Sequence, residues 1–214
     1  MTATLAQHDV PRLRGWVHFG AALAAPLGLL YLVLAADSAA GYVGAAIFGT
    51  GMILLFSTSA AYHLLPWGPR LREVARRLDH AMIFVAIASI YTPFCLLVLP
   101  LAWGIPLLST VWGLAGAGIL VRNAWPRAPR GVNVAGYLLL GWTALVASLE
   151  LGSRLGATAL ALIVAAGLLY TVGAVVFALH RPNPFPRTFG HHEIFHVLVT
   201  VATLLLFGVV AAQV

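Results

Sequence analysis

The residues best suited to chemistry in this sequence are histidines close to the ends of apolar stretches. His192 and His196 are four residues apart, so on a helix they share one face and both imidazoles can reach a single metal ion. His63 lies near the end of a different apolar stretch. Three neutral imidazoles leave one tetrahedral position of a zinc ion for water, which is typical of a catalytic site. We therefore predict His63, His192 and His196 as metal ligands.

Two other polar residues are candidates for the same site. Ser59 precedes His63 by four residues, and Asp79 opens the next apolar stretch. Asp79 could hold the metal-bound water or hydrogen-bond a ligating imidazole, and it could act as general base and then acid. Ser59 could hydrogen-bond a substrate carbonyl oxygen or the water. We predict Asp79 and Ser59 as the catalytic residues.

A competing motif overlaps the same histidines. The string from His192 to His196 reads HEIFH, the H-E-x-x-H pattern in which the glutamate is the general base of a metalloprotease. Such a protease needs a third ligand, and Asp79 is followed by His80 rather than by the glycine of that ligand motif. Glu193 is also explained as a carboxylate in the first turn of a helix, where the macrodipole favours it. We prefer this second explanation.

The segments that position these residues are membrane helices. Of the 214 residues, 61% are hydrophobic and only 8% are charged, and the mean hydropathy is +0.96. This balance excludes an ordinary soluble domain. The net charge of +6 comes from arginines in the loops, which membrane topology explains, so we expect no nucleic-acid partner.

The apolar stretches fit seven membrane spans. A bilayer core of about 30 Å needs about 20 apolar residues per helix, and runs without the alternation of a barrel can only be helices in lipid. We predict one all-α domain, a seven-transmembrane-helix bundle over residues 1–214. The predicted spans are 16–36, 42–65, 79–99, 103–121, 132–149, 157–179 and 192–212. A tight turn at Pro100, Gly104 and Pro106 separates the third span from the fourth.

The arginines indicate how the bundle is oriented. Eleven of the twelve fall before the first span or in alternate loops, and only Arg154 lies on the opposite side. The positive-inside rule then predicts a cytoplasmic N-terminus and a C-terminus outside. All the candidate site residues lie at the cytoplasmic end of their spans, although the sequence does not show that these helices are neighbours.

A further histidine lies near the same layer. His18 is one turn into the first span, at the cytoplasmic end. A histidine near the lipid headgroups can simply be solvated, because the interface is polar. We therefore expect His18 at the membrane interface and not among the ligands.

The sequence resembles the hemolysin III branch of the progestin and adipoQ receptor family, which is itself similar to alkaline ceramidases. The resemblance covers essentially the whole chain. The matching strings are SAAYH ending at His63, LDH ending at His80, YLLLGW from Tyr137, YTVG from Tyr170, RPNPFPRTFGHHEIFH ending at His196 and, in the first span, RGWVH ending at His18.

The resemblance implies a particular site. It implies seven helices with a cytoplasmic N-terminus and zinc bound by His63, His192 and His196. It also implies that Asp79 lies near the zinc water and that Ser59 lines the site. The residue at Glu193 is not a ligand in that pattern. Imidazoles also suit copper, iron and nickel, so the choice of zinc rests on the family.

Three functions are compatible with this resemblance. The first is a zinc-dependent hydrolase of lipid amides or esters, similar to a ceramidase. The alternatives are a pore-forming or cytolytic membrane protein, and a receptor or sensor with a structural zinc. We expect membrane lipids as partners and a multi-pass location in a bacterial cell (inner) membrane. The sequence leaves the oligomeric state open.

Overall fold

The computed structural model describes residues 11–126 and 128–214. Residues 1–10 and Arg127 belong to the predicted domain but lie outside this part, and Arg127 is one of the arginines used to predict the orientation. The described residues are mostly helical and contain no strand. The helices are α1 (Trp16–Ala35), α2 (Ala39–Leu64), α3 (Pro69–Pro93) with a π-helix (Phe94–Val98), α4 (Leu101–Ala124), α5 (Arg130–Trp142), a 3-10 helix (Thr143–Ala147), α6 (Ser148–Arg154), α7 (Ala157–Leu179) and α8 (His191–Ala211).

Seven of the helical segments in the described chain are long and apolar enough to cross a membrane. The prediction of a seven-helix membrane bundle is therefore confirmed. The fifth span is composite, because α5, the 3-10 helix and α6 follow one another without a loop. The orientation, with a cytoplasmic N-terminus and an outside C-terminus, stays a prediction.

The third helix begins earlier than predicted. We placed its start at residue 79, but α3 begins at Pro69. Proline suits the first position of a helix, because its missing N–H has no partner there anyway. Glu73 then pairs with Arg76 and Arg77 at 2.8 Å, one turn further along. Asp79 thus lies in the third turn of α3 and does not open the helix.

The turn between the third and fourth spans is shorter than predicted, because Gly104 and Pro106 lie inside α4 and only Leu99 and Pro100 separate α4 from the π-helix. The π-helix ends at Val98, and α4 begins directly after Pro100. Gly104 allows the close approach of the two helices, because a Cβ atom there would lie 2.2 Å from the carbonyl oxygen of Cys95. Any side chain at this position would force the turn apart.

Small residues bring the helices of the site together. A Cβ atom on Gly51 of α2 would lie 2.4 Å from the Cβ of Ser89 in α3, and one on Gly49 would lie 2.7 Å from the Cβ of Leu29 in α1. Close backbone approach of this kind is typical of membrane helices. α2 therefore packs between α1 and α3, and α8 packs against α1 and α7. We call the end of the bundle at which α1, α3 and α8 begin and α2 ends the site end.

Candidate metal centre

The three histidines predicted as ligands meet at the site end. His63 lies in the last turn of α2, and His192 and His196 lie in the first two turns of α8. One ring nitrogen from each lies within 4.8 Å of the other two. The structure thus brings together residues that are 129 positions apart in sequence. Their role as metal ligands stays a prediction.

The donor set and its geometry fit a metal ion. The Nε2 atoms of His63 and His192 face each other at 3.1 Å. Two imidazoles on one zinc ion, each about 2.0–2.1 Å from it, would place their nitrogens about 3.3 Å apart in a tetrahedron. The Nδ1 of His196 is buried and has no hydrogen-bond partner among the described residues. Three convergent imidazoles therefore fit zinc or another transition metal that prefers nitrogen ligands.

Ser59 and Asp79, the predicted catalytic residues, line the same cavity as His192 and His196. The Ser59 hydroxyl is buried one turn before His63 and interacts with the Asp79 carboxyl. The Oδ2 atom of Asp79 lies 3.6 Å from the Nδ1 atom of His80. Within the described part of the chain, Asp79 makes no ion pair with an arginine. The Asp79 carboxylate is therefore available to the site, and its catalytic role stays a prediction.

His18 is part of this arrangement, contrary to expectation. Its side chain is 2% exposed, so it does not face the membrane interface. Its Nδ1 lies 2.8 Å from the Ser59 hydroxyl, and its ring stacks on that of His196 at 3.8 Å. No spacing in the sequence signals this position, because both partners lie on other helices.

Glu193 has a structural role that accounts for both of its oxygens. Its side chain is fully buried, and it forms an ion pair and hydrogen bond with Arg14. Its second oxygen accepts a hydrogen bond of 2.8 Å from the Gly190 N–H and so satisfies a backbone donor at the start of α8. This geometry supports the helix-start explanation of Glu193 over the protease motif.

The segment before α1 covers the cluster. The N–H groups of Arg12 and Leu13 donate to the carbonyls of Arg187 and Thr188, at 3.1 and 3.2 Å. Gly15 follows with a φ of +86°, and a Cβ atom there would lie 2.7 Å from the Cβ of His63. This approach and the positive φ both require glycine. The segment is thus fixed against a predicted metal ligand.

Gly15→Ala is therefore expected to destabilise the protein and displace His63. A left-handed conformation costs alanine about 1–2 kcal/mol, and the clash with His63 adds to this. The measurements are the midpoint of thermal unfolding in detergent and the zinc retained after dialysis against a weak chelator, both of which should fall. The matched control is Gly20→Ala, within α1, where a Cβ atom would meet nothing within 4 Å. Equal behaviour of the two variants would contradict the close packing of Gly15 on His63.

A cavity of about 300 Å³ connects the site with the interior of the bundle. His18, Ser59, Asp79, His192 and His196 line its polar end. The rest of its wall is largely apolar and comes mainly from α3, α5, α7 and α8. Along α7, lining residues run from Phe177 to Leu160, a distance of roughly 25 Å. The cavity has the shape and polarity required by an extended hydrocarbon chain with one polar end.

Comparison with known proteins agrees with this architecture. The family described as "Haemolysin-III related" matches residues 7–207. Hemolysin-3 of Bacillus cereus is 32% identical over 192 residues, which cover 88% of this chain and 84% of that protein. The Hemolysin-3 homolog of Bacillus subtilis (strain 168) is 31% identical over 190 residues, 88% of this chain and 86% of that protein. Human monocyte to macrophage differentiation factor is 27% identical over 164 residues, which cover 73% of this chain and 64% of that protein.

Proposed function

This chain belongs to the haemolysin-III related family of multi-pass membrane proteins, and we propose that it is a zinc-dependent intramembrane hydrolase of lipid amides or esters. The observation that carries the proposal is one cavity lined both by His192 and His196 of the three-histidine cluster and by a long apolar wall. The seven apolar helices and the Bacillus relatives indicate a protein of the bacterial cell membrane.

The residues of the site have separate tasks in this proposal. Zinc held by His63, His192 and His196 supplies a Lewis acid that polarises a carbonyl group and promotes the deprotonation of water. The Asp79 carboxylate accepts the proton from the attacking water and returns it to the leaving nitrogen or oxygen. The Ser59 hydroxyl, whose one hydrogen is shared with the Asp79 carboxylate, accepts a hydrogen bond from the attacking water and holds that water near Asp79.

The apolar wall accounts for the choice of a lipid substrate. Trp142, Leu145 and Val164 line the cavity, and they are also exposed on the outer surface of the bundle, between the fifth span and α7. A lipid chain can therefore enter from the bilayer without crossing water. Inside the cavity, the hydroxyl groups of Tyr170 and Thr203 form a hydrogen bond of 2.8 Å with each other. Because neither hydroxyl then needs a polar partner from the ligand, the wall accommodates a hydrocarbon chain.

The names of the Bacillus relatives suggest lysis of cells, which would require a pore or a disturbance of lipid. An ion pathway is lined by rings of carbonyl groups or charged side chains, interrupted only by short hydrophobic gates. Beyond the site end the cavity instead has only scattered polar side chains, such as Tyr91, Ser148 and Thr171, in a largely apolar wall. The other alternative is a receptor or sensor with a structural zinc. Such a zinc has all of its coordination positions filled by the protein, whereas the zinc of a hydrolase leaves one position for water or substrate.

The proposal is tested by fatty-acid release. Protein reconstituted in nanodiscs and loaded with zinc is incubated with a synthetic ceramide and with an acyl ester, and the free fatty acid is measured by mass spectrometry. We expect release by the wild type and a loss of at least about 100-fold in His192→Ala. Leu204→Ala is the control, because this α8 residue is 62% exposed on the lipid side. A zinc-loaded wild type that cleaves neither substrate would contradict the proposal, and an ion leak from liposomes that survives in His192→Ala would favour a pore.

A further inference from the structure

The start of α1 is attached to the candidate metal centre at three successive points. Arg14 pairs with Glu193 of α8, Gly15 packs on His63 of α2, and His18 reaches the centre of the site. A helix that only anchored the chain in the bilayer would need none of these contacts. The contacts of His18 suggest that α1 contributes a side chain to the chemistry of the site.

The first contact of His18 fixes the Ser59 hydroxyl. The Ser59 oxygen lies 2.8 Å from the Nδ1 of His18 on one side and interacts with the Asp79 carboxyl on the other. A hydroxyl rotates about its C–O bond, so its hydrogen points wherever its partners direct it. Two fixed partners on two other helices therefore define the direction in which Ser59 presents its oxygen to the cavity.

The second contact of His18 restrains a predicted ligand. Its ring is nearly parallel to that of His196, with an interplanar angle of 13° and a centroid distance of 3.8 Å. On another side it meets the Phe56 ring edge to face at 5.1 Å. A ligating imidazole must keep its ring plane aimed at the metal, and its neighbours set that orientation. The packed His18 ring prevents His196 from rotating out of this plane.

We propose that His18 is a positioning residue of the metal centre, which directs the Ser59 hydroxyl through Nδ1 and fixes the ring plane of His196 by stacking. The effect through Ser59 rests on the proposed hydrolase function. The effect through His196 needs only a bound metal and can be observed without turnover. Two substitutions separate the effects: His18→Phe keeps a stacked ring and removes Nδ1, whereas His18→Asn keeps a polar atom near the Nδ1 position and removes the ring.

The test uses the full-length protein loaded with cobalt, whose visible absorption bands report the geometry of the ligands. We expect His18→Phe to keep the wild-type spectrum and His18→Asn to change it, with metal affinity lowered by about 10–100-fold. Phe19→Leu, in the same turn of α1 but 40% exposed, should match the wild type in both measurements. Thermal unfolding of each variant confirms that it is folded. A wild-type spectrum and affinity in His18→Asn would overturn the stacking effect.

The effect on Ser59 is tested by a double-mutant cycle in the hydrolysis assay. His18→Phe and Ser59→Ala should each lower kcat by about tenfold or more, and the double variant should be no slower than the slower single variant. Effects that multiply in the double variant would overturn the positioning of Ser59. If the wild type binds cobalt but cleaves no lipid, the hydrolase proposal fails alone, and the spectra still decide whether His18 fixes His196.

Discussion

Asp79→Asn is expected to lower the rate of lipid hydrolysis by about 10²–10⁴-fold with the metal content unchanged. Asparagine has nearly the shape of aspartate and can still hydrogen-bond Ser59, but its amide cannot accept the proton from water. Asp79 is not one of the three residues whose ligand atoms converge, so the metal should remain. The measurements are the initial rate of fatty-acid release and the zinc content of the same preparation.

The matched control for this prediction is Asp37→Asn. Asp37 lies in the loop between α1 and α2, at the opposite end of the bundle from the cluster. The same change of charge there should leave hydrolysis within about twofold of the wild type, because surface substitutions have small effects. Loss of zinc from Asp79→Asn would show that Asp79 is a ligand and not a base, and unchanged hydrolysis would remove it from the mechanism.

Glu193→Ala is expected to destabilise the protein by about 3–5 kcal/mol, because it leaves the largely buried Arg14 without its partner. Loss of the hydrogen bond from the Gly190 N–H to Glu193 adds about 1 kcal/mol to this destabilisation. The measurement is the free energy of unfolding in mixed micelles. The double change Arg14→Met with Glu193→Met should recover part of the loss, since it leaves no lone buried charge.

Two comparisons sharpen the prediction for Glu193. Glu150→Ala removes an exposed pair with Arg154 at 3.3 Å, and should cost no more than about 0.5 kcal/mol. Glu193→Gln keeps an acceptor for Gly190 and should keep hydrolysis within about tenfold of the wild type, whereas loss of a general base costs about 10²–10⁴-fold. A loss of that size in folded, metal-loaded Glu193→Gln would restore the protease-type role of the HEIFH motif.

Hydropathy predicted the limits of a span well where residues that end the apolar run lie directly at both of its ends. For α7 the predicted and observed limits coincide at residues 157 and 179, because Gly156 and His180 flank an uninterrupted apolar run. α3 was misplaced at its start, because hydropathy marks the part of a helix that lies in lipid and not where the helix begins. Pro69 and the pairs of Glu73 with two arginines extend α3 by ten residues beyond its apolar part.

The site was predictable only where its geometry is local. The spacing of His192 and His196 guarantees a common helical face, and Ser59 relates to His63 in the same way. The meeting of α2 with α8 depends on packing, and the resemblance to the family was needed to predict it. His18 and Arg14 were missed because their partners, Ser59 and Glu193, lie 41 and 179 residues away. No spacing within one helix can signal such contacts.

The metal content of the purified protein tests the central claim most directly. Wild type, His63→Ala and His192→Ala are dialysed against a weak chelator and measured by inductively coupled plasma mass spectrometry, with His180→Ala as a control histidine outside the cluster. About one zinc ion per chain is predicted in the wild type and the control, and less than about a tenth of that in the two cluster variants. A folded wild type without metal, or cluster variants that retain it, would contradict the assignment of this site.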